Sequence, residues 1–379
     1  MDSPCITIEN SGYPDAFSWG DTTIRLTDRV YEQYLEVLLR VFIEELSILS
    51  KEIQERFSTL PPESKMRLIE APETYNLLVR RLRGDKVDVR SWIAQSVEAE
   101  WAILHRDHTC KPGTWSADGS FLFDKKTEVV RDSQGWIIGG WRENVLLDRK
   151  IPIDHHSPFA RRDMPVAEFR SVQYGDPEAF RSGDERKAVD KIVKSYEKIR
   201  ISLPVAADFI SRYAKAIVIR RSSHADGVFQ SASRNAFIGQ IVLLNAHADH
   251  VDHEYMAESL VHESIHSLLW RAEILDHFLV DPEKEMGTVT SAWSGETIYY
   301  YTLLQACFVW YGIFNFWNKV CNNHAVFDKK RAGELLERSR RGFLSGEYKR
   351  SLLSNSDNLK RGVLNVFEDM RNRVIAQSV

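Results

Sequence analysis

The chain has 379 residues, 43% of them hydrophobic and 27% charged, with a formal net charge of −4. That composition is ordinary for a globular protein, and without a basic excess nucleic acid is not an expected partner. The four cysteines (Cys5, Cys110, Cys307 and Cys321) are scattered with no C-x-x-C pair, which reads as free thiols in a reducing, cytoplasmic setting rather than a disulfide framework.

Asp2, Pro4 and Glu9 stand where a signal peptide would place a basic stretch and an apolar run, so none is expected. Residues 28–57 show helical periodicity, with Leu35, Leu38, Leu39, Phe42, Ile43 and Leu46 on one side. Pro61 and Pro62 end that helix and open the next, expected over 65–82, and a further helix is expected over 90–105. From residue 111 to 154, turn signals such as Pro112-Gly113, Asp118-Gly119 and Gly139-Gly140 separate short β-type runs. Helices are expected over 184–199 and 203–213. Buried strands are expected at 216–219 and 241–244, with a polar, Ser-rich loop from 220 to 234 between them.

A helix then opens near Glu254, an aromatic helix runs from about 296 to 320, and charged helices follow from 329. Residues 297–317 carry no charge, but they include six Tyr or Trp together with Thr302, Gln305, Gly312 and Asn315. That mixture predicts a buried helix rather than a membrane span. The expected fold is α+β, predominantly helical, with a small β-sheet beside the metal-binding helix. The expected organisation is a helical region over 1–110, a metal-binding core over 111–325 and C-terminal helices over 326–379, or one continuous domain.

The chemistry concentrates in Leu260-Val261-His262-Glu263-Ser264-Ile265-His266-Ser267-Leu268-Leu269. On a helix, residues four apart share a face, so His262 and His266 can aim both imidazoles at one metal ion. Glu263 is placed to reach a metal-bound water. The metzincin extension would need Gly at 269 and His at 272, where this chain has Leu269 and Ala272. For a third ligand, Glu273 lies two turns along the same rod, and Glu283 and Glu285 sit in an acidic loop. Glu296, at the expected start of the aromatic helix, is the best-placed choice. Glu258, one turn before His262, is expected as an outer partner. Three further groups, His247/His250/His253, His105/His108/Cys110 and Asp154-His155-His156, are weaker metal or pocket candidates.

Several stretches together resemble the H-E-x-x-H-motif peptide-modification proteins, described as 2-oxoglutarate-dependent peptide β-hydroxylases. They are Ile151-Pro152-Ile153-Asp154-His155-His156-Ser157-Pro158-Phe159, the Ser231-Ala232-Ser233-Arg234 loop with the strand ending at Leu244, the motif helix, Ser291-Ala292-Trp293, and the helix reaching Phe316-Trp317. The resemblance departs at Ser294 to Tyr299, where members carry basic residues, and at Gln305, where they often carry a His. It implies a non-haem Fe(II) enzyme with 2-oxoglutarate as co-substrate, acting on a peptide or a free amino acid in natural-product biosynthesis. His262, His266 and Glu296 would then form a two-His, one-carboxylate triad. A diacid co-substrate needs a cation at its distal carboxylate, for which Arg234, Arg220 and Arg221, with Ser233 beside them, are the candidates. The same motif also admits a cytosolic Zn²⁺ peptidase with Glu263 as general base. A non-catalytic peptide-binding protein with a degenerate site is a third reading.

Overall fold

The computed structural model describes residues 13–105, 111–123, 137–138, 141–160, 178–223, 227–323 and 326–377. Cys5, His108, Cys110 and the 139–140 turn lie outside them. Helix makes up 61% of the structure, against roughly a third in an average globular domain, and the strands are short. The fold is α+β and predominantly helical. None of the described helices is long and apolar enough to cross a membrane.

Two compact units emerge, each discontinuous in sequence: Met1–Tyr34 with Ser195–Ile210 and His253–Val379, and Leu35–Lys194 with Ser211–Asp252. Segments 1–110 and 111–325 therefore each contribute to both units, because the chain leaves the first unit at Tyr34, returns for part of two helices, and returns again at His253.

In the second unit, the helix expected over 28–57 is interrupted. One helix ends at Leu46 and another runs Lys51–Thr59. The Ser50 side chain accepts the Ile53 amide as an N-cap, which starts a new helix rather than continuing the old one. The helix expected over 65–82 is likewise two, Pro62–Ile69 and Pro72–Leu82. Pro72 has no amide hydrogen to continue the ladder, so it takes the first position of the second helix.

A three-stranded antiparallel sheet is ordered Phe121–Phe123, Trp141–Glu143, Ile137–Ile138. The larger, five-stranded sheet is ordered Leu146–Leu147, Ile151–Asp154, Ala216–Arg220, Gln240–Leu244, Gln230–Ala232. Its three central strands run parallel, with Ile153 opposite Ile217 and Ile217 opposite Ile241. Every residue of Ala216–Arg220 and Gln240–Leu244 is buried, as expected of parallel strands covered on both faces. Part of the Ser-rich stretch, read from sequence as a loop, is an antiparallel edge strand, with Ser231 opposite Leu243.

The first unit centres on two helices, His253–Leu275 and Tyr300–Asn323. They approach closely at Gly312, where a Cβ would come within 2.5 Å of Ile265 Cδ1. The Gly312 carbonyl accepts the Trp19 indole N–H at 2.7 Å. Helices Lys329–Leu344, Gly346–Leu353 and Arg361–Ala376 complete the bundle. The aromatic helix begins at Tyr300, not near residue 296. Thr297–Tyr299 pairs instead with Thr288–Thr290 in a hairpin, because Gly295 takes a positive φ of 73° that turns the chain back and the β-branched Thr297 and Ile298 suit a strand.

Candidate metal centre

On the helix His253–Leu275, residues Glu258, His262, His266 and Trp270 recur every four positions and form one row. The His262 and His266 rings lie 5.0 Å apart. One donor atom each from His262, Glu263 and His266 lies within 4.8 Å of the others, the one such cluster of three among the described residues. The apolar neighbours Val261, Ile265, Leu268 and Leu269 are at most 1% exposed and anchor the helix on both sides of the row.

Each imidazole is held. His266 Nδ1 lies 3.1 Å from Gln305 Oε1, and Gln305 Nε2 donates to the Tyr301 hydroxyl at 3.3 Å. With its amide nitrogen committed to Tyr301, Gln305 offers His266 only an acceptor, an arrangement that suits an Nδ1–H donor and leaves Nε2 as the atom that could meet a metal. Trp270 stacks on His266 with centroids 5.5 Å apart, and Trp310 meets His262 edge to face at 6.0 Å. Burial pulls the His262 pKa down to about 4, against the pull of the Glu263 carboxylate, so its imidazole is neutral near pH 7 and able to ligate. Two imidazole donors within 4.8 Å of each other suit a divalent first-row metal.

One turn before His262, Glu258 is 3% exposed. Its carboxylate accepts the Trp317 indole N–H at 2.8 Å and a short bond from Arg338 Nη2. Burial raises the Glu258 pKa, with Arg338 and Trp317 opposing the rise. The Arg338 guanidinium also lies over the Trp310 and Tyr255 rings, 5.3 and 5.5 Å from their centroids. Sequence reasoning placed Glu258 beside the metal pair and missed Arg338. No local signal marks that arginine among the basic residues of Lys329–Leu344.

Glu296 does not join the cluster. It is exposed in the hairpin turn, where its backbone carbonyl accepts the Ser291 amide at 2.8 Å. Its expected position assumed that the aromatic helix begins there; the strand Thr297–Tyr299 occupies that stretch instead. Glu273 is buried, paired with His277 at 3.6 Å and bonded to Tyr301. Arg220, Arg234 and Ser233 belong to the second unit. Arg220 ends the strand Ala216–Arg220 and is 4% exposed, Arg234 precedes the short helix Asn235–Phe237 at 7%, and Ser233 is half-buried. Neither arginine is a surface charge. Arg220 lines a cavity of about 140 Å³ with His155, His156 and Glu185, and Arg221 pairs with Glu178 at 2.7 Å. His247, His250 and His253 do not converge: His247 faces Asp184 at 3.8 Å, His250 is exposed, and His253 bonds Ser195 at 3.1 Å.

Trp293 stacks on Trp310 at 5.9 Å, and its indole N–H donates to the Ser339 carbonyl at 2.8 Å. The absent side chain of Gly342 makes room for it, since a Cβ there would fall onto the indole. In a helix, Gly→Ala normally stabilises by roughly 0.5–1 kcal/mol. Gly333→Ala, in the same helix with nothing within 4 Å of its Cβ, is expected to do so. Gly342→Ala is expected to destabilise by about 1–3 kcal/mol through overpacking. Thermal unfolding of the two variants checks the opposite signs.

No protein-family model matches the chain, and no curated protein matches it.

Proposed function

We propose that the chain is a metal-dependent enzyme in which His262 and His266 hold Fe(II), with 2-oxoglutarate as co-substrate, hydroxylating an amino-acid residue in a peptide or as the free amino acid. The observation that carries the metal is the His266–Gln305–Tyr301 chain, which orients one imidazole for ligation beside a second, neutral one. The choice of Fe(II) and 2-oxoglutarate rests on the resemblance of residues 151–317 to the peptide β-hydroxylases. Bound iron would supply oxygen activation. The chain's own residues would fix the ion with two histidines, leave positions open for co-substrate, and wall the site with Trp270 and Trp310. Free Cys307 and Cys321 suit a cytoplasmic setting.

Glu263 favours a second reading. It is 2% exposed and has a carboxylate oxygen within the same 4.8 Å cluster, where a hydrolase would keep the base for a Zn²⁺-bound water. The two readings separate in one experiment. Anaerobic loading with Fe(II) and 2-oxoglutarate is expected to give a visible charge-transfer band, and admitting O₂ is expected to release succinate. Zinc-dependent peptide cleavage that disappears in Glu263→Gln, with no succinate from the iron-loaded chain, would establish the hydrolase instead.

A further inference from the structure

The row on the helix His253–Leu275 has chemically distinct ends. At one end the Glu258 carboxylate holds the Arg338 guanidinium; at the other Trp270 lies against His266. Successive members of the row are separated by four residues, about 6 Å along the axis. Arg338 therefore stands about one helical turn from His262. The Trp310 ring, 6.0 Å from the His262 ring and 5.3 Å from the guanidinium carbon, links the two.

Arg338 is only partly used where it stands. Its Nη2 bonds Glu258, while its Nε is buried and donates to no acceptor among the described residues. Its side chain is 37% exposed, so part of it remains reachable from outside. A guanidinium stacked on two aromatic rings and pinned at one nitrogen is pre-oriented, with little freedom left to lose on binding a carboxylate through its remaining N–H groups. Glu258 balances its charge and fixes its position.

We infer that Arg338 is the anion anchor of the metal centre, binding the carboxylate of a ligand whose other end reaches the ion between His262 and His266. The inference rests on the metal reading above. It moves the carboxylate-binding role from Arg220 and Arg234, in the other unit, to a residue in the same unit as the two histidines. Two sources share this chemistry: the distal carboxylate of a 2-oxo diacid co-substrate, and the free carboxylate of an amino-acid or peptide substrate.

Co(II)-loaded full-length chain, followed by its visible spectrum, reports ligands that reach the metal. It is titrated with two pairs of probes: 2-oxoglutarate against 2-oxovalerate, which lacks the distal carboxylate, and N-acetylphenylalanine against its amide. At least one pair is expected to show about a tenfold or greater preference for the carboxylate form, in line with a charge-assisted bidentate contact. Arg338→Gln alone would leave Glu258 buried without its cation, so the test variant is Glu258→Gln with Arg338→Gln, which keeps an acceptor for Trp317. In that variant the preference is expected to fall to within about twofold, with Co(II) uptake retained. A preference in the first pair assigns the anchor to the co-substrate, and one in the second assigns it to the substrate. Equal binding within both pairs, or a preference that survives the double substitution, overturns the inference while leaving the metal reading in place. Failure of the wild-type chain to take up Co(II) overturns the metal reading and this inference with it.

Discussion

His262→Ala and His266→Ala are each expected to weaken divalent-metal binding by at least about a hundredfold, read by competition of Zn(II) or Co(II) against a chromogenic chelator. The floor comes from comparison: losing an outer partner of a metal-bound histidine typically costs about 10–100-fold, and losing the ligand itself removes a bond rather than its support. Gln305→Leu should therefore fall between wild type and either alanine variant. It deprives His266 Nδ1 of its acceptor, so the ring is free to rotate or to take the tautomer that hides its lone pair. Gln305→Glu keeps an acceptor and should bind metal at least as well as wild type. The fold should survive the alanine changes, because the fully buried Val261, Ile265, Leu268 and Leu269, and not the histidines, hold the helix in place. Wild-type metal affinity in either alanine variant would show that the histidines serve packing alone.

The parts of the site legible in the sequence are those set by a single helix. A spacing of four is enough to put Glu258, His262 and His266 in one row, and the apolar residues between them are enough to bury that helix. The placement of Glu296 was not legible at that level. Assigning Glu296 required knowing where the aromatic helix starts, which depends on Gly295 reversing the chain into a hairpin that pairs Thr297 with Thr290. Arg338 lay beyond sequence reasoning for a different reason. Its significance comes from Glu258, Trp310 and Tyr255, which meet it only through tertiary packing. The same distinction runs through the fold. The buried strands at Ala216–Arg220 and Gln240–Leu244 declare themselves by the unbroken apolar runs Ala216-Ile217-Val218-Ile219 and Ile241-Val242-Leu243-Leu244 within them, whereas the breaks at Ser50 and Pro72 fall inside patterns whose periodicity carries on across them. Local capping and the missing proline amide outweighed the longer-range pattern.

A second large effect is expected in the other unit, where Arg67 on Pro62–Ile69 grips Glu100 on Val89–His105. The guanidinium donates through Nε to Oε1 at 2.9 Å and through Nη2 to Oε2 at 2.5 Å, and it also contacts Ser64 and lies 5.2 Å from the Phe121 ring centroid. Glu100 is fully buried, and that burial raises its pKa against the opposing pull of Arg67. Removing one member of such a pair leaves an uncompensated buried charge, so Arg67→Ala is expected to cost about 3–5 kcal/mol in urea unfolding. Replacing both partners together, as Arg67→Met with Glu100→Leu, should be close to neutral or stabilising, because the desolvation of two charges goes with them. The pH dependence follows from the direction of the Glu100 shift. A carboxyl whose folded pKa lies above its unfolded value favours folding fully below the unfolded value, near 4.3, and loses that contribution as the pH rises through the folded pKa. Without Arg67 the folded pKa rises further, so the deficit of Arg67→Ala should be full near pH 8 and shrink as the pH falls toward 5, where protonation removes the stranded charge. A deficit below about 1 kcal/mol at pH 8, or one that grows on acidification, would mean that water reaches Glu100 and that the pair does not hold these helices together.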